Sequence, residues 1–226
     1  GLYKDKIYKW GYFLQTNHYN IEELIESKEE KDRIEIIWVA RFINWKHPEV
    51  VLKLARNLKR QNYNFKIKML GTGTLEKKTR DKVKKINLND VIEIVGQVPS
   101  NEVKNYMEEA DIFIGTSDSR EGWGAVVNES MNATCAIVAN KKMGSVPFLI
   151  KDGENGFTYN NYKDLENKVK ILIENKELRK KLGKNAYKYI TERWTAKIAT
   201  ENLLKLFDSI INRREFEIKD GPASKE

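Results

Sequence analysis

The sequence predicts an α/β fold: a parallel sheet with helices on both faces, followed by further helices at the carboxyl end. From residue 34 onward, short β-branched or aromatic runs alternate with longer amphipathic segments, the rhythm of strand–helix units. Beyond Asp164 the strand-like runs stop and the pattern is helical to about residue 212. With 226 residues and 40% hydrophobic content, the chain has enough apolar surface to bury a core, which excludes disorder throughout.

Ile34 to Ala40 (IEIIWVA) reads as the first strand, and Pro48, suited to the first turn of a helix, opens a helix to about Lys59. Phe65 to Leu70 is the second strand, ended by Gly71-Thr72-Gly73 before a charged helix over about 75–86. Val91 to Val95 is the third, after which Ser100 is expected to cap a helix reaching Glu109. Asp111 to Gly115 is the fourth, leading through Thr116 to Arg120 and the stretch EGWGAVVNE into a helix over about 125–133. Ala136 to Ala139 is the fifth strand and Gly156 to Tyr159 a short sixth; helices are expected over 164–175, 177–190 and 195–212. Residues 34–212 thus read as one Rossmann-like domain. Residues 1–33, aromatic-rich at Tyr3, Ile7, Tyr8, Trp10, Tyr12 and Phe13, read as a linker from something upstream. Residues 213–226, charged and broken by Gly221-Pro222, read as a flexible tail.

Lys and Arg outnumber Asp and Glu by 41 to 33, a balance that favours phosphate-bearing ligands, anionic membrane surfaces or nucleic acid. The excess is spread over separate segments as pairs such as Lys77-Lys78 and Lys84-Lys85, which read as solvated helix faces. No basic stripe or recognition motif is present, so nucleic acid is not an expected partner. One cysteine, Cys135, excludes an internal disulfide framework, and two histidines leave little material for a His/Cys metal site. No apolar run approaches the roughly 20 residues of a spanning helix. The expected location is the cytoplasm, with peripheral contact at the inner face of the membrane as an allowed addition.

In an open parallel sheet, ligands collect beyond the carboxyl ends of the strands. After the first strand, Arg41 and Lys46 place two cations just before a helix; a guanidinium fork and a mobile ammonium together suit a diphosphate. Gly71-Thr72-Gly73 permits close backbone approach but lacks the third glycine of a dinucleotide fingerprint. Gly96-Gln97-Val98-Pro99 offers free main-chain groups at a stiffened corner, suited to a flat base edge or to an ordinary connection. In EGWGAVVNE, Gly122 and Gly124 bracket a turn that opens a helix, where amides attract an anion. Glu121 and Glu129 flank it. Carboxylates do not bind phosphate, but they accept hydrogen bonds from hydroxyls, so a ligand with hydroxyls on both sides of its phosphates is implied. Hydrolysis by a carboxylate pair is the second enzymatic reading; it leaves the anion site unexplained.

Those segments, with GSVPFLIKDGENGF at 144–157, occur in the order and at the strand ends seen in one known family. Over about residues 34–210 the chain resembles the C-terminal, donor-binding domain of retaining GT-B glycosyltransferases, specifically glycosyltransferase family 4. The resemblance implies one half of a GT-B fold, and a hexosyltransferase that uses a uridine or guanosine diphosphate sugar in polysaccharide biosynthesis or on a lipid-linked saccharide. Residue by residue, it implies that Arg41 and Lys46 hold the diphosphate together with the amides of Gly122, Trp123 and Gly124. It further implies that Glu121 faces the transferred sugar, Glu129 binds the ribose, the backbone near Val98 meets the base, and Gly71 and Gly73 line the donor site. No cofactor or metal is expected. The partner would be the family's N-terminal acceptor-binding domain, absent here, without which this chain is expected to be inactive.

The chain departs from the family pattern at Thr134 and Ala136, where Gly and Pro are usual, and at Phe148, where an acid usually follows the proline. The last change is expected to remove an acidic group near the donor. A non-catalytic nucleotide or nucleotide-sugar binding module is the alternative reading.

Overall fold

A computed structural model describes residues 7–215 and 217–225; Tyr3 lies outside them. Six parallel strands, β1 (Ile34–Val39), β2 (Phe65–Leu70), β3 (Ile92–Gly96), β4 (Ile112–Gly115), β5 (Ala136–Asn140) and β6 (Phe157–Tyr159), form one sheet in the order β3-β2-β1-β4-β5-β6. The helices are α1 (Ile21–Glu29), α2 (Pro48–Arg60), α3 (Glu76–Lys85), α4 (Ser100–Glu109), α5 (Val126–Asn132), α6 (Val146–Leu149), α7 (Tyr162–Glu174), α8 (Lys176–Glu192) and α9 (Ala196–Ile211). Because helices cover both faces, the central strands are apolar runs rather than alternating ones. Ile36, Trp38, Ile112, Ile114 and Val138 enter one core with α2, α3 and α7, while Ile37, Phe113, Ile137 and Ala139 enter a second with α5 and α8.

Several local expectations are corrected. Ser100 is the first residue of α4 rather than its cap; Pro99 holds the cap position, and no side chain caps it. The supposed linker forms α1, which packs on α4, preceded by an extended strap. The strap crosses Trp123 at Gly11, where a Cβ would lie 2.0 Å from the indole. Tyr12 stacks on Trp123, Phe13 stacks on Trp194, and Asn17 exchanges two hydrogen bonds with Asn132. The end of the chain is docked rather than loose: Gly221 to Ser224 are buried, and Lys9 pairs with Ala223 and Ser224 through backbone bonds of 2.8 Å. Apolar side chains nevertheless remain exposed at Trp10, Tyr12 and along α9 at Leu204, Phe207, Ile210 and Ile211.

Candidate functional site

Strand order reverses between β1 and β4, so the loops after these two strands face one crevice. A chain of hydrogen bonds ties them together. The Trp38 indole donates to Thr116 Oγ1 at 2.7 Å, the Thr116 hydroxyl donates to the Lys46 carbonyl, and the Asp118 amide donates to the Trp45 carbonyl at 3.0 Å. After β1 the chain makes a 3₁₀ turn over Asn44–Lys46, and His47, at φ 51°, reverses it so that Pro48 can begin α2. His47 Nε2 then lies 2.9 Å from Asp118 Oδ2 and its Nδ1 3.1 Å from Glu49.

This stitching sets Lys46 directly against Glu121 as an ion pair, with both side chains largely removed from solvent. Burial, and secondarily Arg41, push the Lys46 ammonium down to about 8, so it is still charged at neutral pH. Arg41 is exposed. Its guanidinium sits 5.8 Å from the centre of the Trp45 ring, and that of Arg120 sits 5.7 Å from the same ring. Arg120 grips Asp118 with two nitrogens at 2.5–3.0 Å, which together with His47 holds that carboxyl well below the usual range.

The turn that follows is held from behind. The carbonyls of Glu121 and Trp123 accept hydrogen bonds from Gly144 and Ser145, and Gly144 fits only as glycine, since a Cβ there would meet Gly122 O at 2.0 Å. Among the described residues, the amides of Gly122, Trp123 and Gly124 have no protein acceptor. Gly124 has φ +84° and so needs glycine, whereas a Cβ on Gly122 would meet nothing within 4 Å. Packing does not require glycine at 122, and the absence of a side chain beside unpaired amides is what a close-approaching anion uses.

The structure therefore joins Arg41, Lys46, Glu121 and the Gly122–Gly124 turn in one place. Glu129 lies on α5, an exposed residue whose carboxyl is nevertheless partly desolvated by surrounding protein, which raises its pKa. It shares a cavity of about 140 Å³ with Ser100, Lys104 and the strap residues Gln15 and Thr16. Ser100 follows Val98 by two residues, so the ribose and base positions implied by the sequence adjoin. Val98, half-buried, packs against the core, and its amide and carbonyl carry no hydrogen bond among the described residues.

Three of the expected positions also serve the protein's own packing. Cβ atoms at Gly71 and Gly73 would lie 2.1 Å from Ala40 O and 2.6 Å from Phe42 O, so these glycines dock the β2–α3 loop onto the loop carrying Arg41. The Trp123 indole is used within the protein, donating to Asn128 Oδ1 at 2.9 Å and stacking on Tyr12 and Trp194, which leaves the amide as its unengaged donor. Phe148 packs on Trp123 and Trp194 in that same cluster, where the aromatic strap gives an apolar residue better company than an acid. Sequence reasoning assigned no role to Trp45, His47, Asp118 or Arg120. A tryptophan between two cations was the available signal.

The profile of the family described as glycosyl transferases group 1 matches residues 20–189. An uncharacterized glycosyltransferase of Methanocaldococcus jannaschii is 32% identical over 155 residues, covering 68% of this chain and 42% of that protein. The amylovoran biosynthesis glycosyltransferase AmsK of Erwinia amylovora is 30% identical over 129 residues, covering 55% and 31%. The crystal structure of the C-terminal domain of a glycosyl transferase group 1 family protein, LpcC, from Francisella tularensis superposes with a TM-score of 0.63 at 25% identity, over 76% of this chain and 92% of that domain. The chain spans about a third to a half of the length of the full-length relatives it matches. With the profile covering most of the chain, and the sheet order and crevice in agreement, the protein belongs to the glycosyl transferases group 1 family.

Proposed function

We propose that this chain is the donor-binding half of a retaining glycosyltransferase of family 4. In this reading it binds a nucleoside-diphosphate sugar, UDP- or GDP-linked, for hexose transfer to an acceptor such as a growing polysaccharide or a lipid-linked saccharide. The observation that carries it is the Lys46–Glu121 pair at the crevice, with Arg41 beside it and three free amides next to it. A departing diphosphate gains negative charge. Arg41, Lys46 and the amides are aimed at that charge and need no resident cofactor to meet it. Binding exchanges the Lys46–Glu121 contact for Lys46–phosphate and frees the Glu121 carboxylate to accept from sugar hydroxyls. Glu129, with the corner at Val98, takes the ribose and base. Structures of HepE from Anabaena, similar in fold at TM-scores of 0.68 and 0.66 and identities of 18% and 17%, are in complex with UDP and UDP-glucose respectively, the ligand class proposed here.

The acceptor side is assigned to an N-terminal domain outside this chain, whose closure would exclude water and position the acceptor. The exposed face of α9 with Trp10 and Tyr12 suits contact with it. The isolated chain is then inactive but still binds donor. Peripheral membrane contact belongs to the same reading; no helix of the described residues is long and apolar enough to cross a membrane.

Calorimetric titration tests the assignment. Arg41→Ala and Lys46→Ala should each weaken UDP or GDP binding by about 1.5–3 kcal/mol; Arg41→Ala should spare fold stability, whereas Lys46→Ala leaves Glu121 without its ion-pair partner and should lower it. Glu129→Ala should weaken the plain nucleoside diphosphate, whereas Glu121→Ala should spare it and weaken only the sugar conjugate. Unchanged affinity in both cation variants rejects the diphosphate site, and the reverse order for the glutamates rejects the division of roles.

A further inference from the structure

A second cleft, of about 450 Å³, lies between α2 and α3. Pro48, Leu52 and Leu75 give it an apolar floor; Lys78 and Lys82 of α3 and Arg120 of the β4–α5 loop stand around it. Asn44 and His47 close the end nearest the crevice.

The charges here are unbalanced. Lys78 and Lys82 are four residues apart on one helix face, a spacing at which like charges repel. Among the described residues neither has an acidic partner, and three of the acids nearby are engaged elsewhere. Glu76 serves Thr72 and Arg80, Glu49 is held by His47, and Asp118 by Arg120 and His47. A solvated helix face accounts for isolated lysines, but these two line a cleft with leucines on its floor. A free phosphate ion has no use for that floor, and a neutral apolar ligand has no use for the two ammonium groups.

We propose that this cleft binds a lipid phosphate ester. Its headgroup sits between Lys78, Lys82 and Arg120, on the α3 side and away from Glu49, and the first carbons of its chain lie on Pro48, Leu52 and Leu75. The site lies beside the donor loops, walled off from them by Asn44 and His47, and shares neither Arg41 nor Lys46 with the diphosphate position, so the two bind independently.

Geranyl monophosphate, geraniol and inorganic phosphate, titrated calorimetrically into the full chain, separate the possibilities. Geranyl monophosphate should bind at least about tenfold more tightly than either of the other two, and the Lys78→Glu/Lys82→Glu variant should lose at least about tenfold of that affinity. Both lysines are exposed, so the variant should keep the wild-type melting temperature and UDP affinity. Saturating UDP should not displace the geranyl ester. Inorganic phosphate binding as tightly as the ester, geraniol binding as tightly, unchanged affinity in the double variant, or displacement by UDP would each overturn the proposal. Loss of UDP binding with ester binding intact counts against the donor site alone.

Discussion

The two ends of the sheet use charge differently. At the amino ends of β4 and β5, Lys28 is buried and donates to the carbonyls of Ala110 and Ala133 at 2.8 and 2.6 Å. Beside it Asp111 accepts from the Glu35 amide at 2.8 Å and lies 3.5 Å from Arg179. Burial lowers the Lys28 pKa and raises that of Asp111, and packing leaves almost no space around them. At the carboxyl ends of β1 and β4, among the described residues, Lys46 has one ion-pair partner, Arg41 has a tryptophan face, and three amides have no acceptor. The first set is committed to closing helix and strand ends; the second is only half-committed, and its unused bonding capacity is what a ligand can take up.

The comparison breaks most visibly at Lys28. Lys28→Ala removes two charge-assisted hydrogen bonds from a buried position and should destabilise the fold by about 3 kcal/mol. Lys28→Met keeps most of the stem volume and isolates the ammonium contribution. In urea titrations both variants should lower the midpoint, Ala more than Met. UDP affinity per folded molecule should stay at the wild-type value, and a change in it would mean that the two ends are coupled.

Titration of Lys46 sharpens the contrast at the other end. Its pKa is pushed down to about 8, and a bound diphosphate favours the charged form, so affinity is level below pH 8 and falls as pH rises through it. At pH 9 about a tenth of the ammonium remains, which corresponds to roughly tenfold weaker UDP binding. Lys46→Arg keeps its charge over this range and should bind with a flat profile. A wild-type profile that is equally flat would remove Lys46 from the diphosphate.

The sheet was legible in the sequence because strands buried on both faces leave uninterrupted apolar runs such as Ile36-Ile37-Trp38 and Ile112-Phe113-Ile114. The helix α1 was not, although Ile21, Leu24, Ile25 and Lys28 have helical spacing: the inward-facing position at the end of that series is a lysine, which reads as solvent-facing until its two carbonyl acceptors are seen. The docked tail depends on contacts distant in sequence, such as the Asn202 amide donating to the Pro222 carbonyl, and no local pattern announces these. At the site, the convergence of Arg41, Lys46 and Glu121 follows from sheet topology alone. That Gly71 and Gly73 serve loop docking does not, because a glycine signals a close approach without saying to what.

The smallest expected effect lies again at the structural end. Thr134 follows α5 with φ +57°, a left-handed conformation that a β-branched residue adopts only under strain. Its hydroxyl is buried without a hydrogen-bond partner, and its carbonyl abuts Gly183 so closely that a Cβ there would lie 2.2 Å away, so the backbone has no room to relax. Glycine at 134 would remove both the strain and the unsatisfied hydroxyl, while giving back some chain entropy and the packing of a small side chain. The terms do not cancel. The strain and the orphaned hydroxyl each amount to about 1–2 kcal/mol, against about 1 kcal/mol for the entropy and about 1 kcal/mol for the lost methyl packing, so Thr134→Gly should stabilise the fold by about 1 kcal/mol. Differential scanning calorimetry should show a raised midpoint with UDP affinity unchanged. A lowered midpoint would mean that the Thr134 methyl group contributes more through packing than its conformation costs.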